Sequence, residues 1–250
     1  MKKSLSILAL VASVWFGRAM AAGEVAVLSA GAVESGLEAA AAVFEKQTGH
    51  VAKITYHTVP QVRTRIEGGE RADVVIATPA ALDDLAKAGK IEKERAAIGR
   101  VGMGVAVRNG AAVPDIVNGD AFKRSILAVE GLAFSRGSSG LYFEGLLKKM
   151  GISDQIQGKV TRFDDAASAF EHLLKGKGND VGVGQITEIR RFHDKGLRLV
   201  GPLPADVQNY TSYAAAPMKG GANAEGAREF VRYLGTPAAK ALFAAGGIEQ

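Results

Sequence analysis

Apolar runs and amphipathic segments alternate along the first hundred residues of the chain. Residues 25–29 form a short apolar run, and the next segment carries apolar residues at helical spacing, namely Val33, Leu37, Ala41 and Phe44. The pattern therefore predicts a strand followed by a helix. It continues with strands predicted at 51–57 and 73–78, and with helices predicted at 60–68 and 79–88. This βαβαβα order is typical of a parallel, doubly wound sheet.

The alternation repeats in the second half of the chain, after an apolar strand predicted at 101–107. Strands follow at 131–135, 159–163, 180–184, 197–200 and 210–217, and helices at 121–129, 139–150, 164–175, 186–195, 223–235 and 237–245. Two crossings between the halves, near 105–110 and 203–209, would return the C-terminus to the first half.

These elements predict an α/β fold with two doubly wound lobes, joined by a two-stranded hinge and separated by a cleft. Residues 22–106 and 208–250 would form lobe I, and residues 107–207 would form lobe II. In open α/β sheets, ligands bind beyond the carboxyl ends of the strands, where helix N-termini point. The loops at those strand ends are therefore the candidate binding site.

The first 21 residues have the features of a secretory signal peptide. Lys2 and Lys3 give a charged start, residues 5–16 are apolar, and Ala19-Met20-Ala21 fits the small-x-small cleavage rule. The apolar run is too short for a permanent membrane anchor. We therefore predict cleavage after Ala21 and a periplasmic location.

Composition and charge narrow the possible chemistry. The 250 residues include no cysteine, which excludes disulfides, thiolate metal sites and cysteine nucleophiles. The formal charge of +5 would fall to +2 once Lys2, Lys3 and Arg18 leave with the signal peptide. No basic run carries interleaved aromatic residues, so no nucleic-acid partner is expected. No spacing of His, Asp and Glu is typical of a metal site, and the sequence predicts no cofactor.

The stretch from Ala133 to Tyr142 is the strongest candidate for an anion site. It joins a predicted strand to a helix N-terminus, where backbone N–H groups have no partner within the helix. Arg136 would add a fork of donors suited to a carboxylate, and Ser138 and Ser139 would add hydroxyls. A capped loop with a solvated arginine explains the same residues, so both interpretations stay open.

Loops after the other predicted strands add small side chains and neutral donors, which suit an anion site lined by backbone. Closure of the cleft would bury a small anion between 31–33 on one lobe and 136–142 on the other. The candidate ligand-binding residues are Gly31, Ala32, Val33, Thr58, Thr78, Arg136, Ser138, Ser139, Gly140, Tyr142, Gln185 and Tyr210.

Three short segments resemble the molybdate-binding periplasmic proteins of ABC importers. They are Leu28-Ser29-Ala30-Gly31-Ala32, Phe44-Glu45-Lys46-Gln47-Thr48-Gly49 and Ala72-Asp73-Val74-Val75-Ile76. The resemblance covers essentially the whole chain after the signal peptide. It implies the type II periplasmic binding-protein fold, a small anionic ligand, and the membrane component of an ABC importer as partner.

The oxyanion contacts of that family do not carry over to this chain. The family's first serine falls on Ala32, its Gly-Ser-Ser-Gly loop falls on 57–60, and its tyrosine falls on Gly184. An oxyanion held by neutral donors needs those hydroxyls, because a buried anion without partners is very costly. We therefore expect a carboxylate ligand in preference to molybdate.

A second resemblance concerns enzymes with the same fold. Residues 114–123 and 138–142 are similar to bacterial periplasmic aconitate isomerases. This resemblance implies that a double bond moves between the trans and cis isomers of a tricarboxylate. Such chemistry needs a base for a proton α to a carboxylate and an acid at the far carbon. The candidate bases are Glu34, His57 and Tyr142, and none of them stands out.

Two functions therefore stay open from the sequence. One is a solute-binding protein that captures a small anion for an ABC importer, and the other is an isomerase of the aconitate type. The sequence supplies groups that hold an anion but no distinctive base, which favours the binding protein.

Overall fold

The computed structural model describes residues 23–250, so the signal peptide predicted at 1–21 lies outside the described residues. Within 23–250 the chain forms nine strands: β1 (Glu24–Ala30), β2 (Val51–His57), β3 (Val74–Ala77), β4 (Ala96–Arg108), β5 (Gly131–Ser135), β6 (Val160–Phe163), β7 (Asp180–Gln185), β8 (Leu197–Pro202) and β9 (Tyr210–Pro217).

The same residues form ten α-helices: α1 (Glu34–Thr48), α2 (Val59–Glu67), α3 (Pro79–Lys87), α4 (Gly119–Ala128), α5 (Ser138–Lys149), α6 (Ser153–Ile156), α7 (Ala166–Lys175), α8 (Ile186–Arg190), α9 (Ala224–Leu234) and α10 (Pro237–Ala245). A 3₁₀ turn at Gly31–Val33 leads directly into α1. None of the helices within 23–250 is long and apolar enough to cross a bilayer.

The strands form a sheet in the order β2-β1-β3-β9-β4-β7-β5-β6, with β8 paired to β4. Strand β1 runs parallel to β2 and β3, and β5 runs parallel to β6 and β7. Strand β4 is antiparallel to β9 along its first half and to β7 and β8 along its second half. The predicted α/β fold is confirmed, and β4 links its two parallel units.

The buried side chains form four clusters, which divide along the chain. Two clusters draw only on residues between 25 and 101 and on residues after 210. The other two draw only on residues from 103 to 207. Lobe I denotes the unit predicted from the sequence at 22–106 plus 208–250, and lobe II denotes the unit predicted at 107–207.

The structure differs from the sequence prediction at several boundaries. Strand β4 begins at Ala96 rather than at 101, because its first residues pair with β9. The helix predicted at 186–195 is α8 followed by a separate 3₁₀ turn at His193–Lys195, and α6 was not predicted. The second crossing, at 203–209, contains a 3₁₀ turn and no strand.

Gln208 fixes that second crossing to the first. Its side-chain Oε1 accepts from the backbone N–H of Met103 at 3.0 Å, and its Nε2 donates to the carbonyl of Met103 at 3.0 Å. Backbone hydrogen bonds also join Met103 to Leu203 and Asn209. The hinge therefore consists of one continuous strand and one irregular segment bound to it, where the sequence predicts two strands.

Candidate functional site

A narrow cavity lies between the lobes, next to the carboxyl ends of β1, β2, β5 and β7. Its volume is about 20 Å³, which holds one water-sized group. Among the described residues its lining includes no Lys or Arg, and Glu188 is the one acidic residue. The lining residues are Ala30, Gly31, Ala32, His57, Thr58, Val59, Ser135, Gly137, Ser138, Ser139, Gln185, Glu188 and Tyr213.

Polar contacts between the lobes enclose this cavity. The hydroxyl of Thr187 donates to the carbonyl of Ala32 at 2.7 Å. The guanidinium of Arg191 pairs with the carboxylate of Glu34, whose side chain is only 12% exposed. The lobes therefore close on each other at these pairs, and opening of the cleft would break them.

Two helix starts line the cavity without a side-chain cap. Helix α5 begins at Ser138 after Gly137, and the turn that leads into α1 begins after Ala30. The first N–H groups of a helix have no partner inside it and form the positive end of its dipole. Within 23–250, the hydroxyls of Ser138 and Ser139 donate no hydrogen bond to the protein. These neutral groups can hold an anion without a charged side chain.

Gln185 lies at the base of the cavity and is 2% exposed. Its Nε2 donates to the hydroxyl of Thr211 at 2.9 Å and to that of Tyr213 at 3.3 Å, and its Oε1 has no partner. Hydroxyls both donate and accept, so the amide can turn either its oxygen or its NH₂ group towards a ligand.

Glu188, on α8, brings a carboxyl group into this neutral lining. A Cβ atom on Gly31 would lie 3.2 Å from its Oε1, so the carboxyl covers the start of the turn before α1. Burial raises the pKa of Glu188 to about 7, and the nearby carboxylates of Glu34 and Asp165 act in the same direction. Arg191, which is already paired with Glu34, and a hydrogen bond from the backbone of Gln185 lower this pKa without offsetting the effect of burial.

His57 ends β2 at the edge of the cavity. Burial lowers its pKa, and the positive charge of Arg65 lowers it further. The imidazole is therefore neutral at physiological pH, and it contributes a polar contact rather than a positive charge.

Seven of the residues predicted for the site line the cavity. They are Gly31, Ala32, His57, Thr58, Ser138, Ser139 and Gln185. Thr58 also caps α2, because its hydroxyl accepts from the backbone N–H of Gln61 at 3.4 Å. The proton of that hydroxyl remains free to be donated to a ligand.

Arg136 does not line the cavity and lies in an adjoining outer groove, which shares His57 and Thr58 with the cavity. Its Nη1 pairs with a carboxylate oxygen of Asp164 at 3.0 Å and donates to the carbonyl of Arg162 at 3.1 Å. The side chain is 56% exposed. These bonds turn the guanidinium away from the cavity, where the sequence predicts a contact with a ligand carboxylate.

Two predicted tyrosines also lie elsewhere. The hydroxyl of Tyr142 donates to the carbonyl of Val207 at 3.1 Å, which fixes it within lobe II. Tyr210 is exposed on the outer face of β9, where the guanidinium of Arg100 covers its ring at 4.4 Å. Neither phenol is placed to serve as a base or as a ligand contact in this structure.

The remaining four predicted residues have structural positions. Val33 is part of the apolar core of lobe I, and Thr78 caps α3 by accepting from Ala81. Gly140 packs so closely on β5 that a Cβ there would clash with the carbonyl of Ser135. Glu34 is bound to Arg191.

Ser135 and Gly137 belong to the stretch 133–142 that the sequence predicts as an anion site, but Glu188 and Tyr213 are not among the predicted site residues. Alternate residues of a strand share one face, so Tyr213 faces the cavity, whereas Tyr210 faces outwards. Glu188 lies in the first turn of α8, directly after β7, whose end the sequence places at the cleft. Its place in a helix that follows such a strand end was the available signal.

The chain is similar to several known proteins. The model of the bacterial extracellular solute-binding protein family matches residues 25–249. An aconitate isomerase from Pseudomonas sp is 31% identical over 224 residues, which cover 86% of this chain and 84% of that protein.

Solved structures of anion-binding proteins share the fold. The periplasmic molybdate-binding protein of Azotobacter vinelandii superposes with a TM-score of 0.74 and is 20% identical, covering 90% of this chain and 99% of that one. The sulfate-binding protein SubI of Mycobacterium tuberculosis gives a TM-score of 0.73 at 20% identity, covering 90% of this chain and 86% of that one. The resemblance predicted from the sequence is confirmed, and the chain belongs to the bacterial extracellular solute-binding protein family.

Proposed function

We propose that the protein is a periplasmic receptor for a small organic anion, which it binds by a carboxylate group in the closed cavity. One observation carries the proposal: neutral donors from two helix starts and two serines share the cavity with the carboxyl of Glu188. The donors suit one carboxylate. The cavity volume of about 20 Å³ has room for one small group of the ligand at its centre.

Glu188 also favours an organic anion over molybdate or sulfate. A tetrahedral dianion would bring charged oxygens against the Glu188 carboxyl on one side of the cavity, and like charges in a desolvated site repel strongly. An organic anion carries its charge on separate carboxylate groups with C–H groups between them. It can place one carboxylate on the serines of α5 and a C–H group next to Glu188.

The binding function includes transfer of the ligand to the membrane component of an ABC importer. Its support is the family match over residues 25–249 and the closed arrangement of the lobes. The pairs Thr187–Ala32 and Arg191–Glu34 would break on opening and re-form when the ligand is enclosed.

A second candidate function is an isomerase of the aconitate type. The specific observation in its favour is that the carboxyl of Glu188 lines the cavity and forms no ion pair within 23–250, while burial raises its pKa to about 7. The 31% identity to a protein named aconitate isomerase supports it as well. The reaction needs a base of this kind next to groups that hold a carboxylate.

A ligand panel tests the binding function. The protein would be mixed with trans-aconitate, cis-aconitate, citrate, sulfate or molybdate, and the melting temperature and calorimetric Kd measured. We expect carboxylates to stabilise the fold by about 2.7 kcal/mol at a hundred times Kd, with no stabilisation by molybdate or sulfate. A clear shift with molybdate and none with the carboxylates would contradict the proposal.

Conversion of the ligand separates the two candidates. Purified protein would be incubated with trans-aconitate, and the cis isomer followed by NMR. Tight binding without conversion supports a receptor alone, whereas conversion at catalytic turnover supports the isomerase.

A further inference from the structure

We propose that Glu188 is the catalytic residue that takes a proton from one carbon of a bound unsaturated carboxylate and returns it to another. The inference rests on the isomerase candidate described above. It also names the substrate class, which is a carboxylate with a C–H group between a carboxyl carbon and a carbon–carbon double bond.

Glu188 is neither ion-paired, as Glu34 is, nor the N-cap of a helix, as Asp165 is. Glu34 is bound to Arg191, and Asp165 caps α7 by accepting from the backbone N–H of Ser168 at 2.7 Å. Within 23–250, no Lys, Arg or His forms an ion pair with the carboxyl of Glu188. A proton-transfer group must be free to change its charge, and an ion pair would fix it in the ionised form.

The titratable groups around the Glu188 carboxyl come from several helices and strands. Glu34 at the start of α1 and Asp165 before α7 disfavour its ionised form, and Arg191 after α8 favours it. The phenol of Tyr213 on β9 and the neutral imidazole of His57 complete the surroundings. Burial and two neighbouring carboxylates thus outweigh one guanidinium and a hydrogen bond from the Gln185 backbone, which explains a pKa of about 7.

The other candidate bases in the cleft are weaker choices. Burial raises the pKa of the Tyr213 phenol, so its basic form is not populated at neutral pH. Burial and Arg65 make His57 a poorer base than an ordinary histidine. His57 is nevertheless within the lining, and it is the residue against which the assignment must be tested.

The proposed reaction is a balanced proton shift with no oxidant, reductant or cofactor. The Glu188 carboxylate forms an O–H bond as the C–H bond α to a carboxylate breaks, and the released electron pair becomes the new double bond. The electron pair of the old double bond then forms a C–H bond at the far carbon, using the proton that Glu188 had taken. Glu188 is a carboxylate again at the end of the reaction.

The neutral donors of the cavity stabilise the intermediate of this shift. Loss of the proton places extra negative charge on the oxygens of the ligand carboxylate. Ser138, Ser139 and the first N–H groups of α5 lie where those oxygens would bind. Donors already oriented in a closed site strengthen as that charge develops, at no cost of reorganisation.

The test is isomerisation of trans-aconitate in D₂O, followed by NMR of both the cis product and deuterium at the methylene carbon. Glu188→Gln keeps the shape and removes the base. We expect a rate at least about a hundredfold lower with Kd changed by less than about threefold, since general acid–base catalysis contributes roughly 10²–10⁴-fold. Glu188→Asp should retain an intermediate rate. Glu171→Gln, an exposed acidic residue on α7 outside the cavity lining, is the matched control and should match the wild type.

The pH profile supplies a second readout. The base acts in its ionised form, so kcat/KM of the wild type should rise with pH through about 7 and then level off. This inflection should be absent from the residual activity of Glu188→Gln. Retention of more than a tenth of the wild-type rate by Glu188→Gln, or loss of the rate in His57→Asn alone, would overturn the assignment.

Failure of this inference is distinguishable from failure of the proposed function. If the wild-type protein binds tricarboxylates but neither converts nor deuterates them, the catalytic assignment is overturned and the receptor function stands. If no carboxylate in the panel binds, the receptor function and the catalytic assignment are both overturned.

Discussion

Two helix starts at the cleft are built differently from the helix starts at the periphery. At the periphery, Thr236 caps α10 by accepting from the backbone N–H of Ala239 at 3.3 Å, and Thr78, Asn118 and Asn223 cap α3, α4 and α9 in the same way. At the cleft, Ala30 and Gly137 precede the turn into α1 and helix α5, and no side chain caps either start.

The capped helix starts contribute to the stability of the fold, whereas the uncapped starts are available for ligand binding. A side-chain cap satisfies a helix donor within the protein and contributes about 1 kcal/mol to the folded state. An uncapped start forgoes that contribution and leaves its donors for a ligand that enters the closed cleft. Substitutions at the two kinds of start should therefore change different measured quantities.

Filling the cavity should have the largest effect. Gly31→Val would place its Cβ 3.2 Å from Oε1 of Glu188 and add two methyl groups to a cavity of about 20 Å³. We expect carboxylate affinity to fall by at least about a hundredfold, because overpacking costs roughly 1–3 kcal/mol in addition to the lost contacts. Calorimetry measures the Kd.

Gly145→Val is the matched control for that substitution. Gly145 lies on α5, and a Cβ there would meet nothing within 4 Å. Its Kd should equal that of the wild type. Equal losses of affinity in the two variants would show that the cavity between the lobes is not the binding site.

Removal of a cavity hydroxyl should have the next largest effect on binding. Ser139 is 4% exposed and lines the cavity, and its hydroxyl donates to no group of the described chain. A hydrogen bond to a charged group contributes about 1.5–3 kcal/mol, so Ser139→Ala should weaken carboxylate binding about ten- to hundredfold. The melting temperature without ligand should stay constant, and a fall in it with Kd unchanged would contradict the comparison.

Glu188 should make the stability of the protein depend on pH. Its pKa is raised from about 4.5 to about 7, so between these values the folded protein keeps a proton that the unfolded chain releases. The free energy of unfolding of the wild type therefore contains a contribution that falls as pH rises through this window.

Glu188→Gln removes that contribution. We expect the variant to be more stable than the wild type by about 1–3 kcal/mol at pH 8, with the difference vanishing below about pH 4.5. Urea unfolding at pH 4.5 and pH 8 measures both values. A difference that does not change with pH would mean that Glu188 titrates at its ordinary pKa.

Removal of a peripheral cap should lower stability without changing affinity, whereas Ser139→Ala should lower affinity without changing stability. Thr236→Ala deletes the hydroxyl that accepts from Ala239 and donates to the carbonyl of Tyr233 at 2.7 Å. We expect the free energy of unfolding to fall by about 1 kcal/mol and Kd to stay constant. Urea unfolding and calorimetry on the same sample check both, and a weakened Kd would link the periphery to the cleft.

The sequence is sufficient to predict the order of strands and helices because the periodicity of apolar residues depends on local geometry alone. It also identifies the backbone segments at the cleft, since strand ends and helix starts follow from the same pattern. The two helix starts at 31–33 and 137–139 were recognised in this way.

Side-chain direction was less predictable, because it depends on partners distant in sequence. Asp164 lies 28 residues after Arg136 and draws its guanidinium outwards. Val207 holds the hydroxyl of Tyr142, and Arg191 holds the carboxylate of Glu34 across the cleft. Glu188 is the opposite case, because the sequence does not predict it for the site and the folded structure places its carboxyl in the cavity without an ion pair.

Arg136 gives the smallest expected effect and the sharpest test of where the ligand lies. In the sequence it is the natural partner for a carboxylate, but in the structure it is 56% exposed and paired with Asp164. An exposed ion pair contributes about 0–1 kcal/mol, so Arg136→Ala should change the free energy of unfolding by no more than that. Because the cavity lining excludes this side chain, Kd for a carboxylate should change by less than about twofold.

The pair Arg136→Ala and Ser139→Ala therefore measures which groups of one short loop hold the anion. Calorimetry with the same carboxylate should show about ten- to hundredfold weaker binding for Ser139→Ala and nearly wild-type binding for Arg136→Ala. A loss of tenfold or more in Arg136→Ala would place a ligand carboxylate in the outer groove, beside Arg65 and His57. The guanidinium would then leave Asp164 on binding, and the uncapped start of α5 would supply only part of the anion site.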